Sequence, residues 1–286
     1  MKVSVILPNY NHADYLEERL DSIVNQTYQN IELIILDDAS TDNSLEVLNR
    51  YASHEKVSHF IINENNSGSP FLQWKKGLHL ATGDYIWIAE SDDSCELDFI
   101  ETHVKHLQKF DVSVAKTLII SKEGKTNKAL EHPIVVNDSQ LTITAEHFVN
   151  CPISNVSTAM FKTIDKAKLE ASTFSEYNLI GDLVFYFEFF NTLNITENID
   201  TTSYFRQFGL SNLTTKSMRY FHKYLVEHIR FIKYVNTIEN GTIKHLVKPY
   251  IKRRFYKIMH RKTLNEKLSL RFFIIFLKYK YEMLIN

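Results

Sequence analysis

Glycine and proline are scarce in this chain: seven and five among 286 residues. Their scarcity argues against long disordered stretches, and neither an internal repeat nor a low-complexity tract is visible. Missing too are the glycine cradles on which two common phosphate sites depend. The first apolar run is followed by Pro8-Asn9-Tyr10-Asn11-His12 rather than Gly-x-Gly-x-x-Gly, and Gly-x-x-x-x-Gly-Lys-Ser/Thr is absent. Dinucleotide-binding and P-loop readings thereby lose their main support. Cysteine is rarer still. Cys95 and Cys151 lack C-x-x-C spacing, which weakens zinc and thioredoxin-like readings and fits two reduced thiols in the cytosol. The twelve histidines show no ligand spacing. No apolar run approaches the roughly 20 residues needed to span a bilayer. The longest, Phe272–Leu277, lies between Arg271 and Lys278. Met1–Pro8 passes directly into a strand-like run without a signal-peptide pattern, so a cytoplasmic location is expected.

What is present is a set of short apolar runs that end abruptly in acids. Ile31–Leu36 runs into Asp37-Asp38-Ala39-Ser40-Thr41-Asp42, and Tyr85–Ala89 into Glu90-Ser91-Asp92-Asp93. Apolar residues on both faces of a short run suggest a buried strand of a parallel sheet. Residues 2–7, 59–62 and 112–120 also read as strands. Helical spacing links Leu16, Leu20, Ile23 and Val24 (with Asp14 as N-cap and Glu17 three residues on), then Leu45, Leu48 and Ala52, then Phe71, Trp74, Leu78 and Ala81, then Leu97, Ile100, Val104 and Leu107. Strands alternating with helices over the first 120 residues predict an α/β layered domain with a mostly parallel sheet. Residues 121–160 read as loops with short strands, and 176–191 as a very aromatic helix. From 216 onward the pattern is helix, a turn near Asn240-Gly241, helix, and a last helix from about 265.

In open α/β sheets ligands bind beyond the carboxyl ends of the strands. Two acid pairs would converge at that rim and repel each other unless a cation intervenes. A divalent ion, Mn2+ or Mg2+, holding a diphosphate is the natural candidate. In Asp37-Asp38, one carboxylate could accept the imide N–H of uracil while the other braces the loop. The plainer reading is a cluster that caps the next helix through Ser40 or Asp42. Glu90 and Asp92 share one side of an extended segment, and Asp93 follows at the turn. There the plainer reading is a cap, by Asp93 or Ser94, for the helix near Leu97. Lys75 and Lys76 could assist the metal at the phosphates, or simply form an exposed helix face.

The net charge of −1 hides an asymmetry. From Lys216 onward there are 17 Lys and Arg against 4 Asp and Glu, about +13, leaving 33 − 17 = 16 bases and 34 − 4 = 30 acids, about −14, in the remainder. Basic helices interleaved with aromatics fit a membrane surface, a face packed on the acidic domain, or a contact in an oligomer. No recognition motif supports nucleic-acid binding.

These motifs, in this order, resemble family 2 glycosyltransferases. The resemblance rests on Val3–Asn11, Gln26-Thr27, Asp37–Asp42, Asn65-Asn66-Ser67-Gly68, Ala81-Thr82-Gly83-Asp84-Tyr85 and Glu90–Asp93, and continues more faintly to residue 212. It implies a GT-A nucleotide-sugar fold over 1–215, with a nucleotide-binding half (1–120) and an acceptor-side half (121–215), followed by the helical extension 216–286. It implies that Pro8, Tyr10, Asn11, Asp37, Asp38, Gly68 and Asp92 bind the nucleotide, that Asp92 and Asp93 hold the metal, and that Asp182 is the catalytic base. Arg206 is a further diphosphate candidate, or binds a loop carbonyl in a structural role. The implied activity is inverting transfer from a UDP-sugar to a glycan or lipid-linked acceptor in bacterial surface-polysaccharide synthesis, at the inner face of the plasma membrane. Three departures stand out: Glu90 for the usual first Asp, Gly181 for the Glu of a Glu-Asp pair, and Phe208 where His is common. They keep open a catalytically silent assembly or docking subunit. A sugar nucleotidyltransferase is the weaker alternative, because Pro8–His12 is no glycine-rich basic loop.

Overall fold

The computed structural model describes residues 1–121, 124–132, 141–207 and 217–286; Phe208 lies outside them. The chain begins by alternating strands with helices. β1 (Val3–Asn9) leads to α1 (Ala13–Val24), β2 (Ile31–Asp37) to α2 (Ser44–Tyr51), and β3 (Val57–Ile62) to α3 (Pro70–Leu80). β4 (Tyr85–Ile88) and the two-residue β5 (Ser94–Cys95) lead to α4 (Phe99–Leu107). Then come β6 (Val112–Ser121), β7 (Gly124–Ala129), β8 (Leu141–Thr142), β9 (Ala159–Lys162), α5 (Lys166–Ala171), α6 (Gly181–Phe190) and β10 (Asn194–Arg206). Four helices close the chain: α7 (Met218–Ile238), α8 (Lys244–Met259), α9 (Leu264–Lys267) and α10 (Leu270–Ile285).

The described strands form one mixed, mostly parallel sheet in the order β3-β2-β1-β4-β9-β6-β10-β5, with β7 beside β6 and β8 beside β10. β3, β2, β1 and β4 are mutually parallel, while β9 runs antiparallel between β4 and β6. Alternation explains the continuous apolar runs. Val3, Val5, Leu7, Leu33 and Trp87 join α1 and α4 on one face, and Ile6, Ile34, Leu36, Ile86 and Ile88 join α3 and α6 on the other. The chain steps outward from β1 to β2 to β3, then returns to place β4 on the other side of β1. Such a switch point opens a crevice beyond the strand ends. Pro8–His12, Asp37–Asp42 and Glu90–Asp93 all leave the sheet at this rim.

Several local expectations are corrected. The cap position of α1 is His12, and Asp14 lies in the first turn. The acid that serves this helix start is Asp42, whose Oδ2 accepts from Ala13 N at 2.9 Å while its Oδ1 accepts from Ser44 N at 3.0 Å. One carboxylate thus ties the starts of α1 and α2. Neither Asp93 nor Ser94 caps α4; Asp98 holds that position. The aromatic helix expected from 176 begins only at Gly181. The N–H groups of Asn178 and Leu179 donate to the Glu227 carboxylate of α7 at 3.2 and 2.9 Å, which holds that segment out of the helix.

The basic C-terminal helices bury one face against the α6 side of the core, through Phe221, Phe231, Tyr250 and Phe255. Phe231 meets Phe187 of α6 edge-on at 6.2 Å, and Arg230 pairs with Glu176. Among the described residues no helix is long and apolar enough to cross a membrane.

Candidate active site

Three adjoining cavities occupy the rim. The first, about 320 Å3, is lined by residues that include Pro8, Tyr10, Asp38, Gly68 and Glu90. The second, about 330 Å3, shares His12 with it and reaches Asn11, Asp92 and Arg206. The third, about 170 Å3, shares Glu90 and reaches Asn155 and Asp182. Residues from four separate strand ends and from the start of α6 therefore line a row of adjoining cavities, with His12 in the wall between the first two and Glu90 in the wall between the first and third.

In the first cavity the two acids after β2 have different tasks. Asp37 is buried and braces its own loop: Oδ1 accepts from Asn9 Nδ2 at 2.8 Å and from Ser40 Oγ at 2.6 Å, and Oδ2 from Ser40 N at 2.9 Å. Asp38, expected as a free acceptor for a base, is instead fully engaged. Its carboxylate accepts from Asn63 Nδ2 (2.7 Å), Ser67 N (2.9 Å), Gln73 Nε2 (2.8 Å), Asn66 Nδ2 (3.1 Å) and Ser67 Oγ (2.8 Å). A carboxylate offers about four lone-pair sites, so a base N–H would have to displace one of these donors. What Asp38 does directly is fix the loop Asn63–Gly68. Gly68 ends that loop at φ +76°, with open space where a side chain would stand, a backbone conformation that suits glycine. Asn11, at φ 56°, ties the loops together by accepting from Thr41 N at 2.7 Å. Tyr10 is exposed on the cavity wall.

The acid cluster after β4 sits over a buried cation. Glu90 accepts from Trp74 Nε1 at 2.7 Å. Burial, reinforced by the Asp92 charge, pushes its carboxyl up to about 8. Asp93 is buried, accepts from Asn155 Nδ2 at 2.8 Å and from Arg206 N at 3.0 Å, and is also raised by burial and by Asp92. Arg19 of α1 is wholly buried, stacked 4.6 Å over Trp87, and donates to Ser157 Oγ at 3.2 Å. Its charge opposes the upward shift of both acids. A basic residue on the apolar face that carries Leu16, Leu20 and Ile23 is a signal that sequence reasoning passed over. Asn155 and Ser157 came from a polar stretch with no signal at all.

A divalent ion fits this cluster only in company. Among the described residues no group of three or more His, Cys, Asp or Glu side chains forms a metal cage. An ion carrying a diphosphate needs only one or two carboxylates, because phosphate and water supply the rest. Asp92 makes no side-chain hydrogen bond among the described residues and faces the second cavity. The carboxyls beside it are raised first by burial and then by the Asp92 charge, and Arg19 opposes that rise only in part.

Arg206 braces the Asp92-Asp93 turn. Its Nε donates to Asp92 O at 2.7 Å, Nη2 meets Glu18 at 2.5 Å, and the guanidinium lies 4.6 Å from the Tyr15 ring. Lys75 and Lys76, expected near the phosphates, point elsewhere. Lys75 Nζ reaches Glu170 O and Ser172 O at 3.5 and 3.4 Å, and Lys76 Nζ donates to Asn63 Oδ1 at 2.6 Å. Neither lines the crevice.

Asp182 is the second residue of α6, not its cap, which is Ile180. Oδ1 accepts from Leu183 N at 2.8 Å. Burial pushes the carboxyl up to about 6 even at a helix N-terminus. Gly181 beside it has a steric reason: a Cβ there would lie 2.4 Å from the Phe71 ring. Phe71 occupies the space that a Glu side chain would need.

The profile of the glycosyl transferase family 2 matches residues 4–166. The chain is similar to TarP of Staphylococcus aureus, a poly(ribitol-phosphate) beta-N-acetylglucosaminyltransferase, at 31% identity over 209 residues, covering 71% of this chain and 62% of TarP. It is similar to the glycosyltransferase GlyG of Streptococcus pneumoniae at 38% identity over 112 residues, 39% of this chain and 37% of GlyG. The matches thus span less than two thirds of either relative. The crystal structure of residues 1–349 of S. aureus TarS superposes with a TM-score of 0.68 at 19% identity, covering 99% of this chain and 80% of that one. TarS in complex with UDP-GlcNAc gives 0.68 at 17% identity, covering 98% and 79%. The architecture is that of the GT-A fold with C-terminal helices, and the chain belongs to glycosyl transferase family 2.

Proposed function

We propose that this protein is an inverting glycosyltransferase that moves a sugar from a UDP-sugar to a hydroxyl of a glycan or lipid-linked acceptor. The observation that carries this reading is the row of adjoining cavities at one rim of the sheet that the Asp38 loop, the Glu90–Asp93 cluster and Asp182 line. The uracil lies against Pro8, Tyr10 and the loop Asn63–Gly68 that Asp38 holds, and Asn11 and Asp37 keep the neighbouring loops in register. Asp92, with Asp93 behind it, would hold Mn2+ or Mg2+ together with the diphosphate; that ion supplies charge neutralisation to the departing UDP. Arg206 keeps the Asp92-Asp93 turn in place. Asp182 takes the proton from the acceptor hydroxyl as its oxygen attacks the anomeric carbon, and the bond to the diphosphate oxygen breaks on the opposite face. One displacement inverts the configuration. The names of TarP and of the TarS ligand support UDP-GlcNAc-type donors and polyol-phosphate glycans as the first compounds to try, and a setting of bacterial surface-polysaccharide synthesis at the inner face of the membrane.

The test is a screen of UDP-, GDP- and dTDP-sugars in Mn2+ buffer, reading both binding and slow donor hydrolysis. UDP-sugars alone should bind and turn over. Binding without turnover of any donor, alone or with polyol-phosphate acceptors, would favour the silent relative.

A further inference from the structure

α10 carries two apolar faces, and only one is covered. Phe272, Ile275 and Tyr279 pack inward, with Phe255 stacked 4.0 Å from Tyr279. Leu270, Phe273, Ile274, Leu277, Tyr281 and Leu284 recur at helical spacing on the opposite side. All are exposed, Leu270 by 75%, Leu277 by 50% and Leu284 by 82%. A contiguous apolar stripe of this kind on a single helix marks an interaction surface.

The charges around the stripe identify what covers it. At 100° per residue, Arg271 and Lys278 flank the stripe on one side and Lys280 on the other. The helix has one acid, Glu282, and it is 1% exposed, turned inward to pair with Lys233 at 2.5 Å and with Lys278 at 3.6 Å, which leaves Arg271 and Lys280 as the flanking charges with no acid partner on this helix. The outward surface of α10 therefore presents apolar side chains and positive charge, with no negative charge. A second copy packed stripe to stripe would bring cationic flanks against cationic flanks. A bilayer with anionic headgroups suits both features, since apolar side chains enter the acyl boundary while Lys and Arg reach the headgroups along their aliphatic stems. We propose that the outer face of α10 is a docking surface for anionic membranes and lies in the plane of the interface. The inference is independent of the transferase reading, because it concerns a face remote from the crevice residues in sequence and makes no use of catalysis.

The test is co-sedimentation of the full chain with vesicles of phosphatidylcholine alone and of phosphatidylcholine with phosphatidylglycerol. Binding should require the anionic lipid and weaken with salt. Arg271→Glu with Lys280→Glu should reduce binding at least tenfold, since each charge near such a surface contributes roughly a fivefold effect. Phe273→Ser with Leu277→Ser, both on exposed positions, should abolish binding and leave thermal unfolding unchanged. Equal binding to both vesicles, or retention by the serine variant, would overturn the proposal. So would a concentration-dependent dimer in sedimentation velocity that the serine variant abolishes, because a second copy would then own the face. Vesicle binding by a protein that fails the donor screen would leave this proposal standing and remove the other.

Discussion

Asp182 combines two environments that pull against each other. A helix N-terminus and the Leu183 N–H favour its anion, while burial favours the acid, and burial prevails, placing the group near 6. A base must be deprotonated to accept a proton. Transfer in the wild type should therefore fall as pH drops below about 6, a limb that a kcat/KM profile measures directly. Asp182→Asn should keep UDP affinity and lose on the order of 10²–10³ of the transfer rate; equal loss of affinity and rate would assign Asp182 to binding. At Asp38 the expected effect is on the fold. Asp38→Ala leaves donors from Asn63, Asn66, Ser67 and Gln73 without their acceptor. That should cost about 3 kcal/mol in denaturant unfolding, whereas a shift under 1 kcal/mol would mean the loop holds itself. The sequence displayed both acids but not their engagement. Which lone pairs are filled depends on side chains 25 to 35 positions away, and no periodicity encodes that.

At the scale of elements, what was legible followed from burial on two faces. β1, β2 and β4 announced themselves as short apolar runs, and their acidic ends located the rim. The start of α6 was not legible, because Glu227 of a distant helix decides it. Nor was the reason for Gly181, which lies in the ring of Phe71 on α3 and in the backbone carbonyl of Phe174. Gly181→Ala should destabilise by about 2 kcal/mol through overpacking. Adding Phe71→Ala should recover part of that loss, so the double variant is less destabilised than the two singles summed. Strict additivity in urea unfolding would contradict the contact.

For the whole molecule, charge asymmetry divided the chain near residue 215, yet the hydrophobic core continues across that point. α7, α8 and α10 bury Phe221, Tyr224, Phe231, Tyr250, Phe255 and Phe272 in the same cluster as Phe185 and Phe190. Each large apolar side chain so buried is worth roughly 1.5–3 kcal/mol, and together they match the whole stability of an ordinary domain. A chain ended at residue 215 should therefore lose cooperative unfolding and bind a hydrophobic dye, which makes truncation a poor test of membrane docking and point variants on α10 a better one. A truncated chain with a sharp thermal transition would show that the extension is dispensable. Composition could report the sign of the charge on each part, but not that one face of the basic part completes the core of the acidic part.

The claim on which the account depends is that Asp92, with Asp93 behind it at the end of β4, shares one cation with the diphosphate of UDP. Calorimetric titration of the full chain with UDP, in Mn2+ and in EDTA, for the wild type and for Asp92→Ala, tests it most directly. The account predicts binding by the wild type in Mn2+, at least tenfold weaker binding in EDTA, and no Mn2+ enhancement in Asp92→Ala. Equal affinity in all four titrations, or no UDP binding by the wild type in Mn2+, would contradict it.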